Sequence, residues 1–150
     1  DSMATIAVAA RCATHPATGA EFGDLGDVDM EIGMGQHGEG GGGRQPMKTA
    51  KETIEIMANA LVKDIPLAAG DKAFVMINGS GATTLMEMFI LYKDCVHYLE
   101  SLGIEVVANM VGEILTVQEQ AGFQLNIAKW DEEFLRLWNT PAHTPAFFKE

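Results

Sequence analysis

Two segments of this sequence have the pattern of amphipathic helices, and each opens with a threonine that a glutamate follows three residues later. The pairs are Thr49 with Glu52 and Thr84 with Glu87. This spacing is typical of a capping box, in which each side chain accepts a hydrogen bond from the other residue's backbone N–H. Apolar residues then recur at helical spacing, which predicts two core-facing helices, the second closed by Gly103. The predicted buried stripes are Ile54, Met57, Ala58, Leu61 and Ile65, and then Leu85, Met88, Phe89, Tyr92, Val96 and Leu99.

Short apolar runs of strand length stand before, between and after these helices. A third, short helix is predicted over residues 132–138, with Trp130 and Trp138 anchoring it to the sheet, and Pro141 and Pro145 end regular structure. Strands interleaved with long helices favour an α/β or α+β domain. Its sheet is expected to be mixed, because some connections are too short for parallel crossovers. The predicted strands are residues 5–10, 30–35, 72–77, 104–110 and 123–128.

Composition and charge narrow the class of protein. The chain has 150 residues and is 47% hydrophobic, which fits one domain with its own core. No apolar run approaches the roughly 18 residues of a spanning helix, and no secretion signal is recognisable, so a cytoplasmic protein is expected. The net charge of −11 opposes binding to nucleic acid or to an anionic membrane.

Metal and thiol chemistry are not predicted. Cys12 and Cys95 are far apart and belong to no metal-binding spacing, so they are interpreted as reduced, packed thiols. Acidic residues cluster just before the glycine-rich segment, where carboxylates can coordinate a hard cation. Charges on loops are more often simply solvated, and we interpret these four that way: Asp24, Asp27, Asp29 and Glu31.

A glycine-rich stretch, residues 30–40, reads MEIGMGQHGEG. Ile32 and Met34 alternate with glycines as in a strand, and the run through Gly43 is interpreted as a spacer that neither packs nor continues the strand. His37 is therefore expected at a strand end beside a mobile loop, where binding residues often lie. The alternative is a solvated turn histidine. Surface or structural roles are expected for the three other histidines, His15, His97 and His143.

A second glycine-containing turn, residues 78–83, follows a predicted strand and opens the second long helix. Backbone N–H groups at such a position can receive a phosphate. The segment lacks the lysine and the spacing of a P-loop, so it is interpreted as a tight strand-to-helix turn. The functional alternative is that it lines the cleft near the substrate.

The glycine-rich stretch resembles the substrate-binding subunit of the dihydroxyacetone kinase family, which usually carries MExGxGIHGEPG. Here residues 30–41 read MEIGMGQHGEGG. Three further stretches match in the expected order, and together they span nearly the whole chain: residues 1–9, 77–87, and 111–116 with 121–123. In that family the motif's histidine holds a short ketose covalently as a hemiaminal, and only His37 matches it. The resemblance also implies a mixed, two-layered sheet and a ketose-binding role for the neighbours Gly35, Gln36, Gly38 and Glu39.

Because the sequence departs from the family pattern at several positions, it does not determine which ketose is bound. Gln36 replaces the usual isoleucine, Gly40 replaces the usual proline, and residues 116–120, TVQEQ, replace a segment that commonly reads TSLDM. A polar Gln36 beside the anchor can meet an additional hydroxyl. Dihydroxyacetone and a four-carbon ketose such as erythrulose therefore both remain candidates.

Subunits of this family are roughly twice as long, and the resemblance begins in their middle. The chain is therefore expected to be a C-terminal half, the second domain of a two-domain kinase subunit. The resemblance places the general acid and base in the N-terminal half of the same subunit. It places ATP and Mg²⁺, or a phosphoryl-carrying protein of the phosphotransferase system, on a nucleotide-binding subunit or domain. The chain alone is expected to bind no cofactor, to hold a ketose without turning it over, and to form a homodimer.

Formation of a hemiaminal by His37 requires a neutral imidazole, because only an unprotonated ring nitrogen has a lone pair that can add to a ketone carbon. The other ring nitrogen must then donate to an acceptor, for which Glu39 and a backbone carbonyl are the candidates. Three functions are weighed: part of a ketose kinase, a ketose sensor that activates a transcription regulator, and a structural fragment that binds nothing. The His37 motif favours the kinase and makes the structural fragment the weakest of the three.

Overall fold

The computed structural model describes residues 2–35 and 40–150. Its main sheet has six strands, which are β1 Met3–Arg11, β2 Asp29–Ile32, β3 Gly43–Pro46, β4 Lys72–Gly79, β5 Glu105–Gly112 and β6 Ala121–Lys129. The helices are α1 Ala50–Asp64, α2 Leu85–Ser101 and α3 Glu132–Trp138. A small two-stranded sheet joins β7 Ala142–His143 to β8 Phe148–Lys149.

The six strands lie in the order β3-β2-β1-β6-β4-β5. Only β4 and β5 pair in parallel, and α2 makes the crossover between them. The other four pairs are antiparallel, so the predicted mixed sheet is confirmed. None of the helices in the described ranges has the length and apolar character needed to span a bilayer.

Both predicted capping boxes are present. The Thr49 side chain accepts from the N–H of Glu52 at 3.3 Å, and the Glu52 carboxylate accepts from the N–H of Thr49 at 3.0 Å. The same reciprocal pair joins Thr84 and Glu87, at 3.3 and 2.8 Å. These contacts satisfy N–H groups that a helix leaves without an internal partner. The predicted α1 stripe is confirmed, since each of its members is buried: Ile54, Met57, Ala58, Leu61 and Ile65.

The stripe predicted for α2 is wrong in part. Leu85 is 53% exposed and Phe89 is 52% exposed, although both were expected in the core. The face that packs on the sheet carries Met88, Leu91, Cys95 and Leu99. Apolar residues nearly surround the first half of α2, so the hydrophobic pattern alone does not choose between its faces.

Helices α1 and α2 cover one face of the sheet, and the main core lies beneath them. Strand side chains that point to the helices are Val8, Met30, Ile32, Val75, Ile77, Phe123, Leu125 and Ile127. The opposite face is free of the two long helices, and we call it the helix-free face. Only the short helix α3 covers one corner of it, where Phe74 meets Trp130, Phe134 and Trp138 at ring-centroid distances of 4.8–6.3 Å. The prediction that the two tryptophans anchor α3 to the sheet is thereby confirmed.

Three further expectations failed. The strand predicted over residues 30–35 ends at Ile32, and the supposed spacer contains the start of β3, with Gly43 paired to Ile32. An edge strand of four residues that begins with glycine and ends with proline carries no hydrophobic alternation for a sequence pattern to detect. Regular structure also continues past Pro141, in the small β7–β8 sheet.

Candidate functional site

Four of the five residues predicted to bind the substrate, Gln36, His37, Gly38 and Glu39, lie outside the described residues. Gly35 is described and half-buried, and Gly40 resumes the chain. We call residues 33–42 the His37 loop. The structure describes both ends of this loop, residues 33–35 and 40–42. Their contacts show on which face of the sheet the two ends lie.

The first end of the His37 loop turns off the sheet at Gly33. Its N–H donates to the carbonyl of Ala7 at 2.6 Å, and its φ of +87° is a conformation that favours glycine. Met34 is buried in a small cluster with Ala9, Cys12 and Leu25, and its sulfur accepts from the Gln120 amide at 3.8 Å. Since the neighbouring Val8 points into the helix-side core, Ala9 faces the other way. Met34 therefore lies on the helix-free face.

The second end of the His37 loop is held by Glu31. One carboxylate oxygen accepts from the N–H of Gly41 at 2.7 Å and of Gly42 at 3.1 Å. Met30 and Ile32 point into the helix-side core, so Glu31 between them projects from the helix-free face. Both ends of the loop are thus attached to that face.

The two ends touch each other at Gly33 and Gly41. A Cβ built on Gly41 would lie 2.2 Å from both the carbonyl carbon and the oxygen of Gly33. Real Cβ atoms do not approach other atoms that closely, so only glycine permits this backbone contact. The loop is consequently closed at its base by a glycine contact and by the Glu31 hydrogen bonds.

Two of the four acidic residues near the loop, Asp29 and Glu31, have structural partners for their carboxylates. Asp29 pairs with Arg44, whose Nε lies 3.0 Å from the carboxylate, and Arg44 also donates to the carbonyls of Asp24 and Leu25. Within residues 2–35 and 40–150, His, Cys, Asp and Glu side chains form no group of three that is suited to a metal ion. The roles of Glu31 and Arg44 were missed by the sequence analysis, because a glutamate at an alternate strand position is also the pattern of an ordinary solvated face.

The turn over residues 78–83 uses its backbone N–H groups internally. Ser80 donates to the carbonyl of Gly122, and Ala82 donates to that of Gln120, each at 3.1 Å. The Asn78 side chain accepts from the N–H of Ile114 and Leu115 at 2.7 and 2.9 Å. Since these groups already have partners, the geometry supports the tight-turn interpretation rather than a phosphate cradle.

Neither described cysteine has the character of a nucleophile. Burial raises the pKa of the Cys95 thiol to about 12 and also raises the pKa of Cys12. Both thiols are buried and free, as expected from the sequence. His15 has a structural role, since its Nδ1 accepts from the N–H of Ala17 and Thr18 at 3.2 and 3.3 Å.

A cavity of about 320 Å³ lies between the first turns of α1 and α2. Its walls include Met30, Thr53, Leu91 and Phe123. Three of these belong to the helix-side core, so the cavity opens on the side of the sheet opposite the ends of the His37 loop. It is therefore a separate feature from the candidate substrate site.

Comparison with known proteins identifies the family. The Dak1 domain matches residues 1–146. The dihydroxyacetone-binding subunit DhaK of the PEP-dependent dihydroxyacetone kinase of Escherichia coli (strain K12) is 30% identical over 166 residues, covering 95% of this chain and 47% of that protein. An L-erythrulose kinase of Pectobacterium atrosepticum is 37% identical over 124 residues, covering 80% of this chain and 21% of the kinase.

A solved structure agrees with these relatives. The dihydroxyacetone kinase operon co-activator Dha-DhaQ superposes with a TM-score of 0.85 at 25% identity, over 93% of this chain and 44% of that one. This chain spans less than half the length of each of these three proteins. Its assignment as a C-terminal half remains a prediction. The match over residues 1–146, together with the mixed sheet, shows that the chain belongs to the Dak1 domain family.

Proposed function

We propose that this chain is the ketose-binding part of a dihydroxyacetone or erythrulose kinase, and that His37 holds the ketose as a hemiaminal. The glycine-flanked motif around His37 within a Dak1 domain carries the proposal. The names of two relatives, a dihydroxyacetone-binding subunit and an L-erythrulose kinase, support the two candidate substrates. Hydrogen bonds hold both ends of the His37 loop in place, which would limit the positions that such a residue can take.

The proposed adduct conserves every atom of the ketose. A lone pair of one imidazole nitrogen forms the C–N bond, and the electrons of the carbonyl double bond move to oxygen, which takes a proton. The other ring nitrogen releases its proton, so the product is a neutral hemiaminal. Glu39 and a backbone carbonyl remain the two candidates for the group that orients this second nitrogen.

Covalent capture would also separate ketoses from glycerol. Glycerol presents similar hydroxyl groups but has no carbonyl carbon to which an imidazole can add. Hydrogen bonds to shared hydroxyls would discriminate poorly between the two molecules, whereas the C–N bond is available only to the ketose.

The role of the bound ketose in the proposed kinase is to present its terminal hydroxyl for phosphorylation. Phosphoryl transfer depends mainly on positioning and on stabilisation of charge, so a substrate fixed by a bond loses less freedom at the reactive step. We propose that the acid and base come from an N-terminal half of the subunit. ATP with Mg²⁺, or a phosphoryl-carrying protein, would come from a partner, and the subunit would form a homodimer. The chain alone is then expected to bind ketose without phosphorylating it.

The decisive experiment uses dihydroxyacetone labelled with carbon-13 at its carbonyl. On addition of the protein, the labelled signal should move from the carbonyl region to the tetrahedral region of the spectrum, in proportion to the protein added. A signal that stays in the carbonyl region at saturating ketose, with the protein folded, would contradict the proposal.

Replacing Gln36 with isoleucine tests which ketose is preferred. If the amide of Gln36 binds a hydroxyl of a four-carbon ketose, Gln36→Ile should shift preference toward dihydroxyacetone. One hydrogen bond contributes about 1 kcal/mol, or roughly fivefold in the ratio of the two dissociation constants. Titrations with both ketoses give that ratio, and an unchanged ratio would show that Gln36 does not contact the substrate.

A ketose sensor is the second candidate, and the likeness to the operon co-activator favours it specifically. A sensor would use the same covalent site without phosphoryl transfer. The distinguishing observation is whether the complete protein phosphorylates the ketose when a phosphoryl donor and its partner are supplied. Adduct formation without phosphorylation would favour the sensor.

A further inference from the structure

Strand β5 is the last strand at one edge of the main sheet. Among the described residues it pairs with β4 alone, so one side of its backbone has no strand partner. None of its eight residues is buried, whereas most residues of the neighbouring β4 are. An open strand edge is a template on which another strand can pair.

The two edges of the sheet differ in how well they are protected against such pairing. At the other edge, β3 has four residues, carries the charged Arg44, and ends in Pro46, which has no N–H to donate. Strand β5 has eight residues and contains neither proline nor lysine, and its one charged residue is Glu105 at its start. The edge formed by β5 is therefore the less protected of the two.

A bulge shortens the regular part of β5. Two consecutive residues of β4 pair with Val106 and Ala108, so Val107 is the extra residue. A bulge limits edge pairing where it occurs, and this one leaves residues 108–112 regular. That segment reads ANMVG and carries no charge. We call it the β5 pairing segment.

The flank of α2 that lies above β5 is apolar and incompletely covered. Leu85, Phe89, Tyr92 and Val96 follow one another at spacings of three or four residues, which places them on one side of the helix. Burial raises the pKa of the Tyr92 hydroxyl, and the Asn109 amide opposes that rise, which locates this flank above β5. Since no strand lies beyond β5 in the described part of the chain, Leu85 and Phe89 are more than half exposed.

The open edge and the exposed flank have a common explanation. A strand added to β5 would pair its free backbone groups and would also place side chains beneath Leu85 and Phe89. These two residues have the spacing of a buried stripe, yet the sheet of one chain ends before it reaches them. An added strand would supply the missing part of that core.

We propose that the added strand is β5 of a second copy, so that two chains form a homodimer with one continuous sheet. A two-fold axis perpendicular to the sheet at Met110 makes the two pairing segments antiparallel. Met110 then lies opposite Met110 of the second copy, and Asn109 lies opposite Val111. The long helices of both copies lie on the same side of the joined sheet.

The two α2 helices would meet across the same axis. They run in opposite directions there, so Leu85 and Phe89 of one copy approach Val96 and Tyr92 of the second copy. Four apolar or aromatic side chains from each copy would thereby lose contact with water. The inference deepens the proposed function, which includes a homodimer, but it does not depend on ketose binding.

Charge makes this edge suitable for contact between two copies. The chain has a net charge of −11, so two copies repel wherever acidic residues meet. Glu113, just beyond the pairing segment, is three positions from Met110, so its two copies would lie six positions apart, about 20 Å. The Debye length is about 8 Å at physiological ionic strength, so this repulsion is largely screened.

The second acidic residue near the pairing segment, Glu105, is kept from Glu113 of the second copy by the sheet itself. Glu105 precedes Val106, which packs on the helix-side core, so Glu105 points to the helix-free face. The Glu113 carboxylate lies beside Gly79 and Met88, on the side of α2. The two carboxylates therefore lie on opposite faces of the joined sheet.

Sedimentation equilibrium over a range of protein concentrations tests the dimer. The unchanged protein should reach the mass of two chains as its concentration rises. Phe89→Lys and Asn109→Lys should each raise the dissociation constant on the order of 100-fold, because each brings like charges together in the interface. Both positions are exposed in the single chain, so the circular dichroism spectra of the variants should match that of the unchanged protein.

Ile56→Lys is the matched control. Ile56 is also an exposed apolar residue of a long helix, but it belongs to α1, which packs over β1 and β6. This variant should dimerise as the unchanged protein does. If Phe89→Lys does not fold, Leu85→Lys replaces it, with the same expected loss of the dimer.

A disulfide tests the strand pairing. Directly opposed residues of antiparallel strands have Cα atoms about 4.5–5.5 Å apart, a distance that a disulfide can span. Met110→Cys should therefore give a covalent dimer when oxidised glutathione is added. Val107→Cys should not, because its two copies would lie about 20 Å apart. The native Cys12 and Cys95 are both buried, which keeps them from competing.

The outcomes distinguish this inference from the proposed ketose adduct. The mass of one chain at every concentration would mean that a different segment or partner covers β5, and it would overturn the inference while leaving the adduct standing. A dimer that survives both lysine substitutions, or a covalent dimer from Val107→Cys but not from Met110→Cys, would also overturn it. Dimerisation that Phe89→Lys and Asn109→Lys weaken, without a tetrahedral carbon-13 signal, would support the inference and overturn the adduct.

Discussion

Replacing His37 with alanine is expected to abolish the tetrahedral carbon-13 signal of labelled dihydroxyacetone completely. Alanine has no nucleophilic nitrogen, so the carbon–nitrogen bond cannot form, and the ketose would be held only by hydrogen bonds. His37→Asn should have the same effect, because the lone pair of an amide nitrogen is delocalised. The asparagine variant therefore separates loss of the nucleophile from loss of a polar side chain.

The matched control for His37 is His97→Asn. His97 is exposed on α2, the helix that packs on the opposite face of the sheet from the ends of the His37 loop. This variant should form the adduct as the unchanged protein does. A tetrahedral signal that survives His37→Asn but disappears in another histidine variant would show that the anchor had been assigned to the wrong residue.

The elements that were predicted correctly are those with strong local signals. The capping boxes at Thr49 and Thr84 define helix starts through contacts within one turn, and the sequence shows both partners of each. Helix α3 begins and ends as predicted because Asp131 caps it and the aromatic side chains that follow have helical spacing. Central strands such as β4 and β6 are also apolar enough to be recognised without knowledge of their neighbours.

The incorrect predictions concern residues whose burial or strand pairing is determined by tertiary packing rather than by local sequence. Met34 has the same alternation phase as Ile32, yet Gly33 turns the chain so that the two side chains lie on opposite faces of the sheet. Leu85 and Phe89 are as apolar as the residues of α2 that are buried, so only the packed sheet distinguishes the two faces. Strand β3 gains its structure from pairing with β2 rather than from its own residues.

The sequence predicted only part of the candidate site, because the other residues are brought there by tertiary packing. The motif around His37 is recognisable because a histidine between glycines matches a pattern of contiguous residues. Glu31 holds the end of the His37 loop through its position on the helix-free face, and alternation in a strand does not reveal which of its two faces is open.

Replacing Gly41 with alanine is expected to lower the population of the His37 adduct by more than tenfold while leaving the protein folded. The added Cβ would lie 2.2 Å from the carbonyl group of Gly33, so the two ends of the His37 loop must separate. A displacement of about 1 Å in a reacting group can reduce its reactivity on the order of 100-fold. Gly41 lies between β2 and β3, the two outer strands at one edge of the sheet, so the free energy of unfolding should fall by no more than about 1–3 kcal/mol.

Gly42→Ala is the control that distinguishes overlap from backbone strain. Gly42 has a φ of +72°, which alanine adopts at a cost, but a Cβ there meets nothing within 4 Å. Gly42→Ala should therefore cost about 1–2 kcal/mol of stability and retain most of the adduct. The carbon-13 spectrum gives the adduct population of each variant, and chemical denaturation gives its stability. An adduct in Gly41→Ala equal to that of the unchanged protein would mean that the contact between Gly33 and Gly41 does not position His37. Equal losses in the two variants would instead mean that the backbone conformation of the glycine run controls the reaction. The contact between Gly33 and Gly41 would then have no specific role.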